Sequence, residues 1–423
     1  MATASLMLVA ACSSGSPTKA GSPQTLTWWS MWNAGEPQQV ALQQVANDFM
    51  VAYPNTKVNI TWGGRDILTK VRSSLLSKNP PDLVDKDADE MGAAIINNGQ
   101  ALPLDDVLNT TIYGETDTVS QAIPKSYLDQ FNVKGHQYLI PDQIVTAGFW
   151  YDQKLFSKAG VSAPKTWDEF LSLIQTLKSK GIVPLASDNL NFFNIYYFTY
   201  LAERYLGNGA LNKIAGDKSG AGWDNPGVLK AAQAVQQLVA AKPFQNQYNG
   251  SKWPAAEDDW ARGKMAMLLL GSWAPSETSK FASPGFTYRM FNFPTVNNAS
   301  DGVEAYLVGF SIPKGAKNPD AAKKFIAFAL SKKELQRTVT TAQTMVPRND
   351  IAAPPALADA SALLKGGTPL TRLNDGLLYD YPGWWATVLL PLDDDLFYGN
   401  LTGEQFVAKL KQQSISYWQA HTS

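Results

Sequence analysis

The residues in this sequence best suited to do chemistry are aromatic rings set among polar neighbours. Trp28-Trp29 with Trp32, Phe192-Phe193, Trp273, and the run Tyr379-Asp380-Tyr381-Pro382-Gly383-Trp384-Trp385 are the clusters. Sugar rings expose C–H faces that stack on indole, and their hydroxyls require polar partners at the side of the ring. Three polar loops supply such partners: Ser30 to Glu36, Gly63 to Arg65, and Asp85 to Asp89. Asp, Glu and Asn accept hydrogen bonds there and Arg65 donates them. The combination favours a carbohydrate ligand, because a polyamine site would want more acid.

Other chemistries fit poorly. Asp85-Lys86-Asp87-Ala88-Asp89 alternates acids as a calcium loop does, but the sixth position is Glu90 and the twelfth is Ile96. Neither the sharp glycine turn nor the bidentate carboxylate is present, so no metal is expected. The two histidines, His136 and His421, share no ligand spacing. Glu257-Asp258-Asp259 and Asp393-Asp394-Asp395 could pair as glycosidase acids, but acid runs read first as solvated helix ends. There is no Gly-x-Ser-x-Gly elbow, phosphate loop or dinucleotide fingerprint, so no catalytic residue and no cofactor is expected.

With 36 basic and 37 acidic residues among 423, the net charge is -1, and nothing suggests nucleic acid as a partner. Cys12 is the single cysteine, which excludes an intramolecular disulfide. Val9-Ala10-Ala11-Cys12 before Ser13-Ser14-Gly15-Ser16-Pro17 resembles a lipoprotein cleavage box and its tether, with lipid attachment at Cys12. The segment before it lacks Lys or Arg, which a secretory signal would carry.

The positioning elements alternate strand and helix. Leu26 to Trp29, Lys57 to Trp62 and Asp82 to Val84 read as strands, separated by helices over 36–53 and from about Ile67 to Leu75. With a helix over 88–97 they make a βαβαβ unit, hence a parallel sheet with the polar loops at its carboxyl edge. Val145 to Tyr151 reads as a strand crossing into a second lobe. Thr166 and Glu169 form a capping box, Ile182 to Ala186 is a buried strand, and 187–194 reads as a loop facing the first lobe. Met265 to Leu270 is another buried strand; Ser272 is expected to cap a helix, and Trp273 to stand at the strand's end. Val303 to Ile312 and Met345 to Arg348 read as further crossings.

Gly263-Lys264-Met265-Ala266-Met267 with Gly271-Ser272-Trp273 resembles a segment of the extracellular solute-binding proteins of ABC importers, carbohydrate branch. Pro80-Pro81-Asp82-Leu83-Val84, Tyr151-Asp152-Gln153-Lys154-Leu155-Phe156, Thr166-Trp167-Asp168-Glu169-Phe170 and Ile312-Pro313-Lys314-Gly315-Ala316-Lys317-Asn318-Pro319 extend the resemblance from about Leu26 to the C-terminus. It implies an α/β, two-lobed periplasmic-binding-protein type II fold, each lobe a mostly parallel sheet flanked by helices, with a three-segment hinge near Gln143, Tyr306 and Val346. The lobes would be 24–143 plus 307–346 and 144–306 plus 347–423, after a signal remnant and tether over 1–23. It implies a monomeric, lipid-anchored, extracytoplasmic receptor that hands a mono- or oligosaccharide to ABC permease subunits. A polyamine or other small-solute receptor of the same fold is the alternative, then a secreted glycoside-processing enzyme. Asp87, Trp273, Trp385 and Arg348 match ligand-facing positions of the family; Glu36, Gln143 and Asn191 are further candidates, and Trp384 is an alternative to Trp385. Trp32, Arg65 and Phe193 complete the expected site.

Overall fold

The computed structural model describes residues 23–188, 191–296 and 302–421. Cys12 and the tether lie outside the described residues.

The first sheet begins with β1 (Gln24–Ser30), α1 (Pro37–Ala52), β2 (Thr56–Trp62), α2 (Ile67–Leu76) and β3 (Leu83–Asp87). Proline at the first helical position starts α1, which buries the expected stripe of Leu42, Val45 and Phe49. β1 pairs in parallel with both β2 and β3, so the βαβαβ reading holds and the three polar loops share one edge. The helix expected over 88–97 is instead α3 (Ala88–Met91) followed by a π-helical turn, Gly92–Ile96.

β4 (Ile140–Val145) belongs to this sheet, and a single residue, Thr146, separates it from β5 (Ala147–Asp152) of the second. The second lobe continues through α4 (Trp167–Ser179), whose Thr166–Glu169 capping box is formed, and β6 (Val183–Ala186). Next comes α5 (Asn191–Leu206). Asn191 and Phe193 thus lie on the first turn of a helix and not in a loop. The helix forms because Ile195 to Ala202, apart from Thr199, are apolar or aromatic and all are buried, a segment apolar all round that needs core on every side. The side chain of Asn191 lies outside the described residues.

α6 (Pro226–Ala240), capped by the Asn225 side chain, and α7 (Ala255–Ala261) precede β7 (Met265–Gly271), all seven of whose residues are buried. The following α8 (Ala274–Thr278) has Trp273 at its cap position and no side-chain cap. Ser272, expected as the cap, accepts a 3.4 Å hydrogen bond from the Thr146 backbone N–H instead, tying the end of β7 to the crossing. β8 (Tyr288–Phe291) ends the second sheet, and β9 (Val303–Ser311), α9 (Pro319–Ala329), β10 (Leu370–Arg372), α10 (Leu377–Asp380) and α11 (Gly403–Ala420) follow.

The strand order is β10-β9-β3-β1-β2 with β4 also on β9, and β8-β5-β7-β6 in the second sheet. β9 runs antiparallel to β3 and β4, and β5 antiparallel to β7 and β8. Both sheets are therefore mixed, and the parallel arrangement is confined to β3-β1-β2, β6-β7 and β9-β10. The long crossing strands enter each sheet against the direction of its βα units. Two apolar cores hold the sheets: one around Trp28, Phe49, Phe310 and Phe325 extends to Trp150, Leu268 and Leu270 of the second sheet, and the other lies around Phe149, Trp223, Trp384 and Phe397. This is an α/β two-lobed architecture. The chain passes between its sheets at Thr146 and between Phe291 and Val303, and a bridge from Ile144 to Met345 adds a later segment at the same place.

Candidate functional site

The carboxyl ends of β1, β2 and β3 bring together Trp32, Glu36 and Arg65. The Arg65 guanidinium lies 4.7 Å above the Trp32 ring and donates to the Met31 carbonyl at 2.8 Å and to Glu36 at 2.9 Å. Glu36 also accepts from the backbone and side chain of Asn33. These three predicted residues form one polar rim, in which Arg65 covers a face of Trp32.

Asp87 closes β3 and starts α3. One of its carboxylate oxygens accepts from the Glu90 backbone N–H at 2.8 Å and the other takes the Lys86 ammonium at 2.6 Å, so both oxygens are engaged within lobe one. Burial would lower the Lys86 pKa, but Asp87 and Glu90 outweigh it and the pKa is raised. Around this pair the acids are held against ionisation. Burial raises Asp89 to about 7, with Arg372 opposing and Asp87 adding; burial and Asp87 raise Glu90 to about 7. Within β3, burial lifts Asp85 to about 7 although Trp28 Nε1 and Ser30 Oγ donate to it. Asp142 reaches about 8 by burial and the nearby Asp85. Gln143 is buried in β4 opposite Val308 of β9.

From the other lobe, β7 delivers Trp273 as expected. Its ring folds back over Gly271, where an added Cβ would lie 2.0 Å from the indole, so glycine at that position is what lets the ring adopt this pose. The ring is half-buried and meets Tyr306 of β9 edge-on at 6.3 Å. Phe193, also half-buried, stacks parallel to Tyr196 at 6.5 Å. Glu277 of α8 faces the rim: burial raises its pKa to about 7, with the Arg65 charge opposing and Glu36 adding. The charges of the first sheet's rim thus reach a carboxyl that follows the second sheet.

Three predicted residues are placed elsewhere. Arg348 is 4% exposed and spends all five N–H donors within the protein, on Glu115, Asp350 and the Leu330 carbonyl. No donor remains for a ligand. Trp384 is fully buried, stacks on Trp223 at 5.7 Å and donates its N–H to Ser414 at 2.9 Å. Trp385 is 3% exposed in the same core. The Tyr-Pro-Gly-Trp-Trp run is a packing element of lobe two.

Sequence reasoning missed several groups. Glu257 is not a solvated helix end: it is 2% exposed beside Asp188, and burial, then Glu277 and Asp188, raise its pKa to about 9. Its signal was helical spacing, since Glu257 lies three and four residues before buried Trp260 and Ala261. Asp393 is also fully buried, against the same expectation. Arg372, Tyr379 and Asn97 form a further polar cluster: Asn97 Nδ2 donates to the Tyr379 carbonyl at 2.6 Å, and Arg372 lies 4.4 Å above the Tyr379 ring and 3.6 Å from Asp89. Gly92 gives that ring its seat, because a Cβ there would lie 2.0 Å from it. Among the described residues no group of three or more His, Cys, Asp or Glu could hold a metal ion, and no helix is long and apolar enough to cross a membrane.

The family model for bacterial extracellular solute-binding proteins matches residues 33–336. The chain is 27% identical over 352 residues to an uncharacterised ABC transporter extracellular-binding protein of Pyrococcus horikoshii, covering 80% of this chain and 75% of that one. A diacetylchitobiose binding protein of Streptomyces coelicolor is 25% identical over 278 residues, 63% of this chain and 58% of that one. Among solved structures, a chitin oligosaccharide binding protein superposes with a TM-score of 0.74 at 21% identity, covering 93% of this chain and 98% of that one.

Proposed function

Because the chain belongs to the bacterial extracellular solute-binding protein family, we propose that it is an extracytoplasmic receptor that delivers a mono- or oligosaccharide to an ABC import permease. The observation that carries this reading is Trp273. A half-buried indole stands at the end of a buried strand of the second sheet and meets Tyr306 edge-on, while the Trp32–Glu36–Arg65 rim stands at the strand ends of the first sheet. Such a ring offers a C–H face a platform, and the rim offers hydroxyls donors and acceptors. The sugar-binding relatives support the choice of ligand class. The receptor binds and releases its ligand unchanged, as a monomer of two lobes, 24–143 plus 307–346 and 144–306 plus 347–423, which close over it about the crossings.

A second reading, a polyamine receptor, draws on the buried acids Glu257 and Glu277, more acid than the sequence suggested. One thermal-shift screen separates the two. A ligand present at a hundred times its Kd adds about 2.7 kcal/mol to stability. A saccharide is expected to give that shift; a shift with spermidine and with no saccharide would replace this reading with the second.

Lipid attachment at Cys12 belongs to the same proposal, supported by the Val9-Ala10-Ala11-Cys12 box. Full-length precursor expressed in bacteria should incorporate labelled lipid, and Cys12→Ser should abolish it. Label retained in Cys12→Ser would place the anchor elsewhere, and an unlabelled wild type would remove it.

A further inference from the structure

We propose that the cavity at the carboxyl ends of β6 and β7 is a subsite for an ammonium group, so that the preferred saccharide carries an amino substituent; this rests on the saccharide reading above. The cavity, about 10 Å³ and so with room for one water-sized group such as an ammonium, is lined by Asp188, Phe193, Tyr197, Glu257 and the Leu268 to Leu270 stretch of β7. Asp188 is already committed: it accepts from Ser251 Oγ at 2.6 Å and from the Ala256 backbone N–H at 3.0 Å. Glu257, 2% exposed, makes no hydrogen bond of full geometry through either oxygen, the Trp253 indole being the one donor close enough to favour its charge, and one oxygen of Glu277 is likewise unpartnered. A carboxyl buried short of donors is costly, and two such groups beside a third acid are costlier.

Among the described residues no cation pairs with Glu257. Arg65 of the first sheet's rim turns one nitrogen to Glu36 and the Met31 carbonyl and its plane to the Trp32 ring, and Lys280 lies over Phe281 at 4.8 Å. A hydroxyl would supply one donor and no charge, whereas an ammonium supplies three donors and the missing charge. Glu257 is surrounded by Asp258 on its own helix, Asp188 after β6 and Glu277 of α8, the last also facing Arg65, Glu36 and Lys280. Burial and these acids hold the Glu257 pKa up, at about 9, so a bound cation would let it ionise and release a proton.

The test is calorimetry with matched pairs: glucosamine against glucose, galactosamine against galactose, and the chitosan disaccharide against cellobiose, with raffinose, xylobiose and spermidine alongside. Wild type and Glu257→Gln are compared near pH 7 in buffers of different ionisation enthalpy. At least one aminated sugar should bind wild type about tenfold more tightly than its hydroxyl partner, the scale of a charge-assisted hydrogen bond, and should release a proton on binding. Glu257→Gln should remove that gain. Should the variant fail to fold, proton release by wild type decides alone. Neutral sugars bound as tightly as every aminated counterpart, or a preference that survives in Glu257→Gln, would overturn the inference and leave the saccharide receptor standing. No saccharide binding, with or without spermidine binding, would overturn the receptor reading and this inference with it.

Discussion

Trp273→Ala should weaken saccharide binding by roughly 1–3 kcal/mol, about five- to 150-fold, while the melting temperature changes little. The ring is half-buried, and its recorded ring neighbour, Tyr306, meets it edge-on at 6.3 Å, so its removal opens little of the core. What it takes away is a stacking face at the end of β7. Calorimetry with the sugar found in the thermal-shift screen checks the affinity. An unchanged Kd in a folded Trp273→Ala protein would return this ring to a packing role and leave the candidate site without its platform.

Trp384→Ala should have the opposite signature. Its indole is fully buried against Trp223 and hydrogen-bonded to Ser414, so truncation leaves a large cavity and strips Ser414 of its donor. The expected cost is about 3–5 kcal/mol of stability, the usual range for a buried tryptophan, with saccharide affinity retained by the fraction that remains folded. Chemical denaturation reads the first quantity and calorimetry the second. A stable Trp384→Ala protein that no longer binds sugar would move Trp384 from the core to the cleft.

The contrast between these two tryptophans shows how far the sequence could be read. Both sit in aromatic, polar-flanked segments, and composition treats them alike. Trp273 was legible because a buried apolar run, Met265 to Leu270, had to end somewhere, and in a βα unit its end lies at the cleft edge. Trp384 follows Pro382-Gly383 with no strand before it, so nothing local said which way it faced. Local signals worked wherever the cause was local: the Thr166–Glu169 capping box, proline at the start of α1, and the stripe on that helix. They failed where tertiary packing decided. Arg348 looked like a ligand donor, but Glu115, more than two hundred residues away in sequence, joins nearby Asp350 in taking up its guanidinium. Glu257 looked solvated because its neighbours Asp258 and Asp259 are acidic, although the buried face of α7 includes it. The mixed character of the sheets was equally hidden, because strand direction in β5 and β9 follows from chain crossings between lobes.

The central claim is that sugar is held between the lobes and not on one of them. Charges from the two sheets reach one another here: Arg65 and Glu36 at the ends of the first act on Glu277 after the second. A ligand touching both sets favours the conformation in which they meet, because only differential contact can shift such an equilibrium. Small-angle scattering with and without saturating cognate saccharide tests this most directly, with the sugar recovered afterwards and analysed. The account predicts a smaller radius of gyration in the bound state and sugar returned intact; an unchanged radius at saturation, or sugar returned cleaved, would contradict it.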